Sequence, residues 1–587
     1  MSTMRMAETD VLVVGAGPAG AAAGALLATY GVRAIVLNKY GSVANTPRAH
    51  ITNQRTMEVL RDLGVEDEGK RASTPQHLMG EHVWAVSLTG PELGRLRTWY
   101  THPLFKAEHD LASPTAVCDL PQDRMEPILL QAATQRGTTL RVNTELLSFT
   151  QDDDGVTATV LDRVTGEEYR IRSKYLIGAD GGKSRVMEQL GIPLEGEMGH
   201  GGSINIVFEA DLTHLVEHRP GDMYWFVQPG VGHDGNGIGV LRMVRPWNKW
   251  VAVWGYDVEH GAPDLTDEFG TAIVHQLIGD DTVPVKIESV STWAVNHVHA
   301  TENQVGRVFC VGDAVHRHSP MNGLGSNTSI QDSFNLCWKL ALVLRGQAEP
   351  GLLETYRDER LPVARQIVER ATASNQLMPP LFKALHLPPA AGPEALAAAL
   401  ETLQAPTDEG AERRAAFDVA VRNTLLCFNT HGVETNQNYR SGALVTDGTP
   451  APVAPRDEEI HYFPTTYPGR HLPHAWLLDG QRKVPVIDLC GHGRFTLLTG
   501  IRGEAWREAA AKVTAETGVE IEVVSIGRGC DYEDRYGDWA AVSEIVESGA
   551  VLVRPDHIVG WRSTELADDP KGTLLDVMRS ILRTTAS

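Results

Sequence analysis

The sequence predicts an α/β protein in three units: a doubly wound parallel sheet, a β-rich unit inserted into it, and a small layered β/α domain near the C-terminus. Three observations carry that prediction. The chain opens on "TDVLVVGAGPAGAAAGALLATYGVRAIVLNK", which reads as strand, glycine turn, helix and strand. Between about 195 and 300 the pattern changes to short alternating runs such as "KWVAVWGY", which suit mostly antiparallel strands. Beyond about 440 come "VPVIDL", "RFTLLTG", "IEVVSIG" and "AVLVRPD", with a helix near "AWREAAAKV".

The elements follow in that order. "VLVV" suits a buried parallel strand, the Ala-rich stretch to Tyr30 a helix that Gly31 can end, and "RAIVLN" the second strand. Tyr224, Trp225, Phe226, Trp250 and Trp254 crowd the inserted unit. Core packing explains most such residues, although a flat aromatic ligand would need the same walls. "SIQDSFNLCWKLALVLRG" opens a helical stretch, and an Ala-, Pro- and Glu-rich connector precedes the last domain. The expected division is 1–85, 108–192 and 300–385 for the nucleotide-binding unit, 86–107 and 193–299 for the β unit, 386–440 for the connector and 441–587 for the C-terminal domain.

The 587 residues include 75 acidic and 53 basic ones, a formal charge of −22, which argues against nucleic-acid or anionic-membrane partners. None of the six cysteines forms C-x-x-C, so we expect a reducing, cytoplasmic setting with no disulfide framework and no metal site. The uncharged stretch Val11 to Ala28 could pass for a signal or membrane segment. Glu8 and Asp10 just before it, and Gly15, Gly17, Gly20 and Gly24 within it, fit a nucleotide-binding turn better.

Three motifs carry chemistry. In Gly15-x-Gly17-x-x-Gly20, the Rossmann-type turn, the first glycine makes the tight bend, the second lets backbone approach a pyrophosphate and the third packs helix on sheet. Pro18 and Ala19 open the helix, whose N–H groups and dipole favour phosphate. The acid that usually binds the ribose near the end of the second strand is replaced by Asn38-Lys39, so this motif alone cannot name the dinucleotide. "YLIGADGGKSRV" brings Asp180, which also reads as a plain Asp-Gly turn before a capped helix. In "GDAVHRHSPMNGLGSN" a strand ends at Gly312-Asp313, and Pro320, Gly323 and Gly325 precede a helix that begins with Ser326 and Asn327. A capped loop would explain Asp313 alone, but not the glycines, proline and helix together.

In this order and spacing the three motifs resemble the single-component flavoprotein aromatic hydroxylases, the group that includes p-hydroxybenzoate and phenol hydroxylases. "NKYGSVANTPRAHITNQRTMEVLRDLG", "CDLPQ", "LRMVRPWNKW" and "YEDRYGD" extend the resemblance to its phenol-hydroxylating members over nearly the whole chain. The resemblance implies an FAD-binding domain, an inserted substrate domain and a thioredoxin-like C-terminal domain without redox cysteines. It also implies FAD as cofactor, NADPH or NADH and O2 as co-substrates, and a homo-oligomer, dimer or tetramer. The implied reaction is ortho-hydroxylation of a phenol or chlorophenol to a catechol through a flavin C4a-hydroperoxide. No second G-x-G-x-x-G marks a nicotinamide site, and the family lacks one as well.

The resemblance also assigns roles. Gly15, Gly17, Pro18, Ala19 and Gly20, with Asn38, Lys39, Arg48, Gln122, Asp180 and Asp313, would hold FAD, Arg48 as a phosphate ligand. Gly323, Gly325, Ser326 and Asn327 would form the turn at the flavin C2 carbonyl. Pro320 and Met321 would sit at the flavin edge, beside the substrate pocket. His50, between two stretches that would contact FAD, is by our own hypothesis the base for the phenol proton and Asp119 its orienter; from the aromatic β region, where substrate should lie, come Trp225 as a ring wall and Arg242 as a contact for phenolate or nicotinamide. A single His is more often a packed residue, and Arg48 also reads as an ordinary surface arginine. His316 and His318 get no role beyond structure. A flavin halogenase would carry W-x-W-x-I-P, which "WVAVWG" does not match. A hydroxylase of another phenolic or polycyclic ring, and a non-catalytic FAD protein, stay open as alternatives.

Overall fold

A computed structural model describes residues 6–228, 238–256, 261–387 and 391–584, apart from the His200 side chain. Strand Met6–Val14 runs parallel between Ala34–Leu37 and Glu168–Gly178, with Val308–Cys310 beyond the latter. It is sandwiched, so Val11, Leu12 and Val13 are fully buried, which is why the sequence there is apolar at every position. Helices Pro18–Thr29, Gln122–Gln135 and Gly325–Leu344 pack together with its Val11 and Val13 side. The uncharged stretch is therefore a strand and a short helix, and no helix among the described residues is long and apolar enough to cross a membrane.

The inserted unit is an eight-stranded sheet built on the long antiparallel pair Leu194–Glu209 and Lys286–Ala300. Lys249–Tyr256, Ile238–Arg245 and Gly221–Val227 extend it in antiparallel order. Glu81–Ala85 then adds in parallel to Gly221–Val227. The division expected from sequence ends the first unit at 85, but this strand belongs to the second sheet, so the chain crosses over near Gly80. An apolar run such as "HVWA" does not reveal which of two buried sheets it joins.

The connector is a wall rather than a linker. Its helices Pro393–Gln404 and Asp408–Asn423, with Pro379–Ala384 just before it, press Leu381, Phe382, Leu396 and Phe417 against Trp84, Trp99 and Trp225. The C-terminal domain is thioredoxin-like: strands Ile521–Ser525, Phe495–Thr499, Ala550–Val553 and Val559–Ser563, covered by helices Glu504–Thr517 and Pro570–Leu582. It shares a core with the first unit, where Trp338 meets Phe495 edge-on at 5.8 Å. A fully buried ion cluster spans the same junction: Glu359 accepts from Arg554 at 2.6 and 2.9 Å and from Lys339 at 2.8 Å. The six cysteines are free thiols.

Candidate active site

Between the two sheets lies a cavity of about 1790 Å³. Arg48, His50, Gln122, Trp225, Arg242 and Asp313 line it, as do Pro320, Met321, Gly323, Gly325 and Ser326. These come from the second sheet and from loops and helix starts far apart in sequence, and the fold gathers them around one cavity.

The glycine turn has the backbone that a nucleotide site needs. Gly15 has φ +110°, and a Cβ there would lie 2.1 Å from the Ala179 carbonyl oxygen. A Cβ on Gly20 would lie 2.0 Å from the Gly15 oxygen, so these two glycines serve close packing. At Gly17 a Cβ would meet only Glu126 Oε1, at 3.9 Å, so this backbone faces open space at the start of the helix that Pro18 opens. That is where a pyrophosphate fits.

The loop leading to Arg48 is tied to helix Gln122–Gln135. Glu126 accepts from the Ala44 N–H at 2.7 Å and from the Gln122 side chain at 2.5 Å, and the Gln122 N–H donates to the Arg48 carbonyl at 2.9 Å. Arg48 keeps its guanidinium exposed on the cavity wall. Asp313 also opens to the cavity, and its carboxylate accepts no hydrogen bond among the described residues. Its surroundings are otherwise protein, and this desolvation raises its pKa against the pull of His316, Arg317 and Arg48. Gly312 is held from behind, its N–H donating to Asp332 at 3.0 Å, while Arg360 grips the other oxygen of Asp332 at 2.7 Å. Two imidazole nitrogens on the wall, His316 Nδ1 and His318 Nε2, are buried without partners among the described residues. An open Gly17 face, a basic loop, a cavity carboxylate and unpartnered acceptors together fit FAD.

Several expected cofactor ligands spend their side chains elsewhere. The Asn38 amide donates to the Ser42 carbonyl at 2.8 Å and accepts from the Tyr40 N–H at 3.3 Å, closing its own turn. Lys39 is exposed and lies over the Tyr40 ring. Asp180 accepts from Ser184 Oγ at 2.5 Å and from the N–H groups of Arg185 and Val186 at 2.8 and 3.1 Å, which makes it a helix cap. Asn327 ties Ile51, Asn53 and Gly323 together. None of these four lines the cavity.

At the substrate end the candidates form one chain. Strand Ile51–Thr52 pairs with Cys118–Asp119, which brings His50 Nδ1 to 3.2 Å from Asp119 Oδ1. Arg242 donates to Asp119 Oδ2 at 2.8 Å and lies 3.3 Å from Asp222 Oδ2. Asp222 in turn meets His82 at 2.8 Å and the Trp99 indole at 3.0 Å. Burial, and then the Arg242 charge, lower the His50 pKa despite both carboxylates. Burial would raise the Asp119 carboxyl, but His50 and Arg242 hold it below its ordinary range. Asp119 can only accept, so neutral His50 carries its proton on Nδ1. Its Nε2 has no partner among the described residues and is free to take a proton on the cavity side. Sequence reading missed Asp222, His82 and Trp99, for "RPGDMYWF" and "EHVWA" carry no sign that their polar residues will meet.

Fold and site thus fit an FAD-binding protein with an apolar substrate pocket. Residues 8–371 match the FAD binding domain family and residues 465–584 the C-terminal domain of aromatic-ring hydroxylases, and the chain belongs to this flavoprotein family. It is 53% identical to the 2,4-dichlorophenol 6-monooxygenase of Delftia acidovorans, over 98% of both chains. It is 47% identical to the phenol 2-monooxygenase of Pseudomonas sp. (strain EST1001), over 97% of this chain and 92% of the relative. Among solved structures, that of the flavin-dependent monooxygenase PieE with FAD and substrate is similar at a TM-score of 0.95 and 45% identity, covering 98% of this chain and 99% of that one.

Proposed function

We propose that this enzyme hydroxylates a phenol beside its hydroxyl group, consuming NAD(P)H and O2, and that His50 removes the phenolic proton. The observation that carries this reading is the chain His50–Asp119–Arg242, whose His50 and Arg242 line the cavity with Asp119 buried between them. A neutral imidazole held by a carboxylate can take a proton at Nε2, and Asp119 then stabilises the imidazolium. Arg242 opposes the phenolate charge. Met223, Trp225, Val253 and Met321 give the ring a dry wall. The Gly17 turn, Arg48 and Asp313 would hold FAD, which would supply the oxygen-transfer chemistry.

The similarity to the enzymes named for 2,4-dichlorophenol and phenol supports this substrate class. The cavity of about 1790 Å³ has to take the flavin together with the substrate, so the test panel spans single-ring chlorophenols and fused-ring phenols. The test is a panel scored by NAD(P)H oxidation and by a product mass gain of one oxygen. Substrate-stimulated oxidation with catechol product is expected. If no phenol stimulates oxidation, the reading fails and a non-catalytic FAD protein replaces it.

A further inference from the structure

Strand Gly221–Val227 carries a bulge where it meets Glu81–Ala85. Glu81 and His82 are consecutive, but their partners are Gly221 and Met223, so Asp222 is the extra residue. A bulge re-aims the side chain it inserts. The geometry needs a glycine beside it, for a Cβ on Gly221 would lie 1.9 Å from the Glu81 carbonyl oxygen. Met223 and Trp225 line the cavity, whereas Asp222 and His82 sit behind that wall, fully buried.

Asp222 accepts from His82 Nε2 at 2.8 Å and from Trp99 Nε1 at 3.0 Å, and Arg242 pairs with it at 3.3 Å. A carboxylate cannot donate, so the His82 proton is on Nε2 and Nδ1 is an acceptor. The Trp225 indole N–H donates to that Nδ1 at 3.3 Å, and its ring stacks on Trp84 at 5.2 Å. One carboxylate therefore reaches the aromatic wall through His82 and the His50–Asp119 pair through Arg242.

We propose that Asp222 and His82 are a positioning pair for ring hydroxylation, which fixes the Trp225 wall and the His50 base relative to each other. The inference rests on the reading of His50 as base. Two carboxylates share Arg242, so Arg242 is not drawn wholly onto Asp119. The charges facing His50 are Asp119, Arg242 and Asp222, from three different strands. Removing the Asp222 charge leaves the Arg242 charge less opposed, which makes His50 harder to protonate.

The test compares FAD-loaded wild type with Asp222→Asn and His82→Phe on an unsymmetrical phenol. Asp222→Asn should raise uncoupled H2O2 on the order of tenfold, the effect of losing one charge-assisted contact. It should also move the acid limb of coupling to lower pH. His82→Phe, which keeps ring bulk but leaves Trp225 without its acceptor, should raise KM and alter the ratio of the two ortho products, with the acid limb in place. Wild-type coupling, KM and product ratio in both variants would overturn the pair. So would losses that only follow FAD content while acid limb and product ratio stay put. Wild type is the control: if it hydroxylates no phenol, the phenol reading falls and the pair with it, whereas active wild type beside unaltered variants refutes the pair alone.

Discussion

Replacing His50 by alanine should separate proton removal from the rest of the cycle. The imidazole is buried and makes one hydrogen bond among the described residues, to Asp119, which keeps its 2.8 Å contact with Arg242 when His50 is gone. The stability cost should then be about 1–3 kcal/mol, that of one lost partner. Loss of a general base slows the assisted step by about 100- to 10,000-fold, or roughly 3–5 kcal/mol of barrier. FAD binding and flavin reduction should survive, so NAD(P)H is still consumed and appears as H2O2. In wild type, burial and Arg242 push the His50 pKa below its ordinary value. Coupling should hold at neutral pH and above, and fall only as acid passes that lowered pKa. The same sign applies to stability, which His50 supports above its unfolded value of about 6.5 and loses below it as the unfolded chain takes up the proton. In His50→Ala the limb set by His50 should give way to one at higher pH, where coupling climbs as solvent ionises the phenol. A dichlorophenol should lose less than phenol because it ionises more easily. The assay is catechol formed per NAD(P)H, with H2O2 in parallel, across pH for both substrates. Unchanged coupling with both phenols at neutral pH would remove His50 from the mechanism.

Arg48→Ala should weaken FAD binding about tenfold to a hundredfold, as expected for a lost charge-assisted phosphate contact, and an unchanged FAD titration would refute that role. Gly15→Ala should lower the Tm of apoprotein and holoenzyme alike, because its Cβ would strike the Ala179 carbonyl at a positive φ. Gly17→Ala, with open space around its Cβ, should leave the apoprotein Tm alone and weaken FAD binding; the reverse pattern would refute the packing argument. Arg554→Met leaves the buried Glu359 to Lys339, Asn335 and Ser441 and takes the arginine from Asp556, and should cost about 3–5 kcal/mol in denaturant unfolding. A cost near zero would mean that the cluster does not hold the C-terminal domain in place.

What the sequence determined by itself is local. The Gly15–Gly20 turn, the apolar strand before it and the Gly312–Gly325 segment are legible because a tight bend, a close backbone approach and a helix start each demand particular residues within a few positions. No spacing relates His50, Asp119, Arg242 and Trp225, and only their place beside the expected cofactor stretches and in the aromatic β region made them candidates. The structure decided what depends on distant segments. Asn38, Asp180 and Asn327 have the right chemistry for a cofactor, yet nearby backbone groups claim their side chains. The connector became a wall because its apolar faces meet three tryptophans more than 150 residues away in sequence. Asp222 reaches Arg242 and His82 through a one-residue bulge, and a bulge belongs to a strand pair, not to a strand. Local geometry is written in short-range sterics and can be read from one segment. Which buried polar groups meet is set by register between strands and by the packing of units, where every contact joins residues that carry no mark of one another.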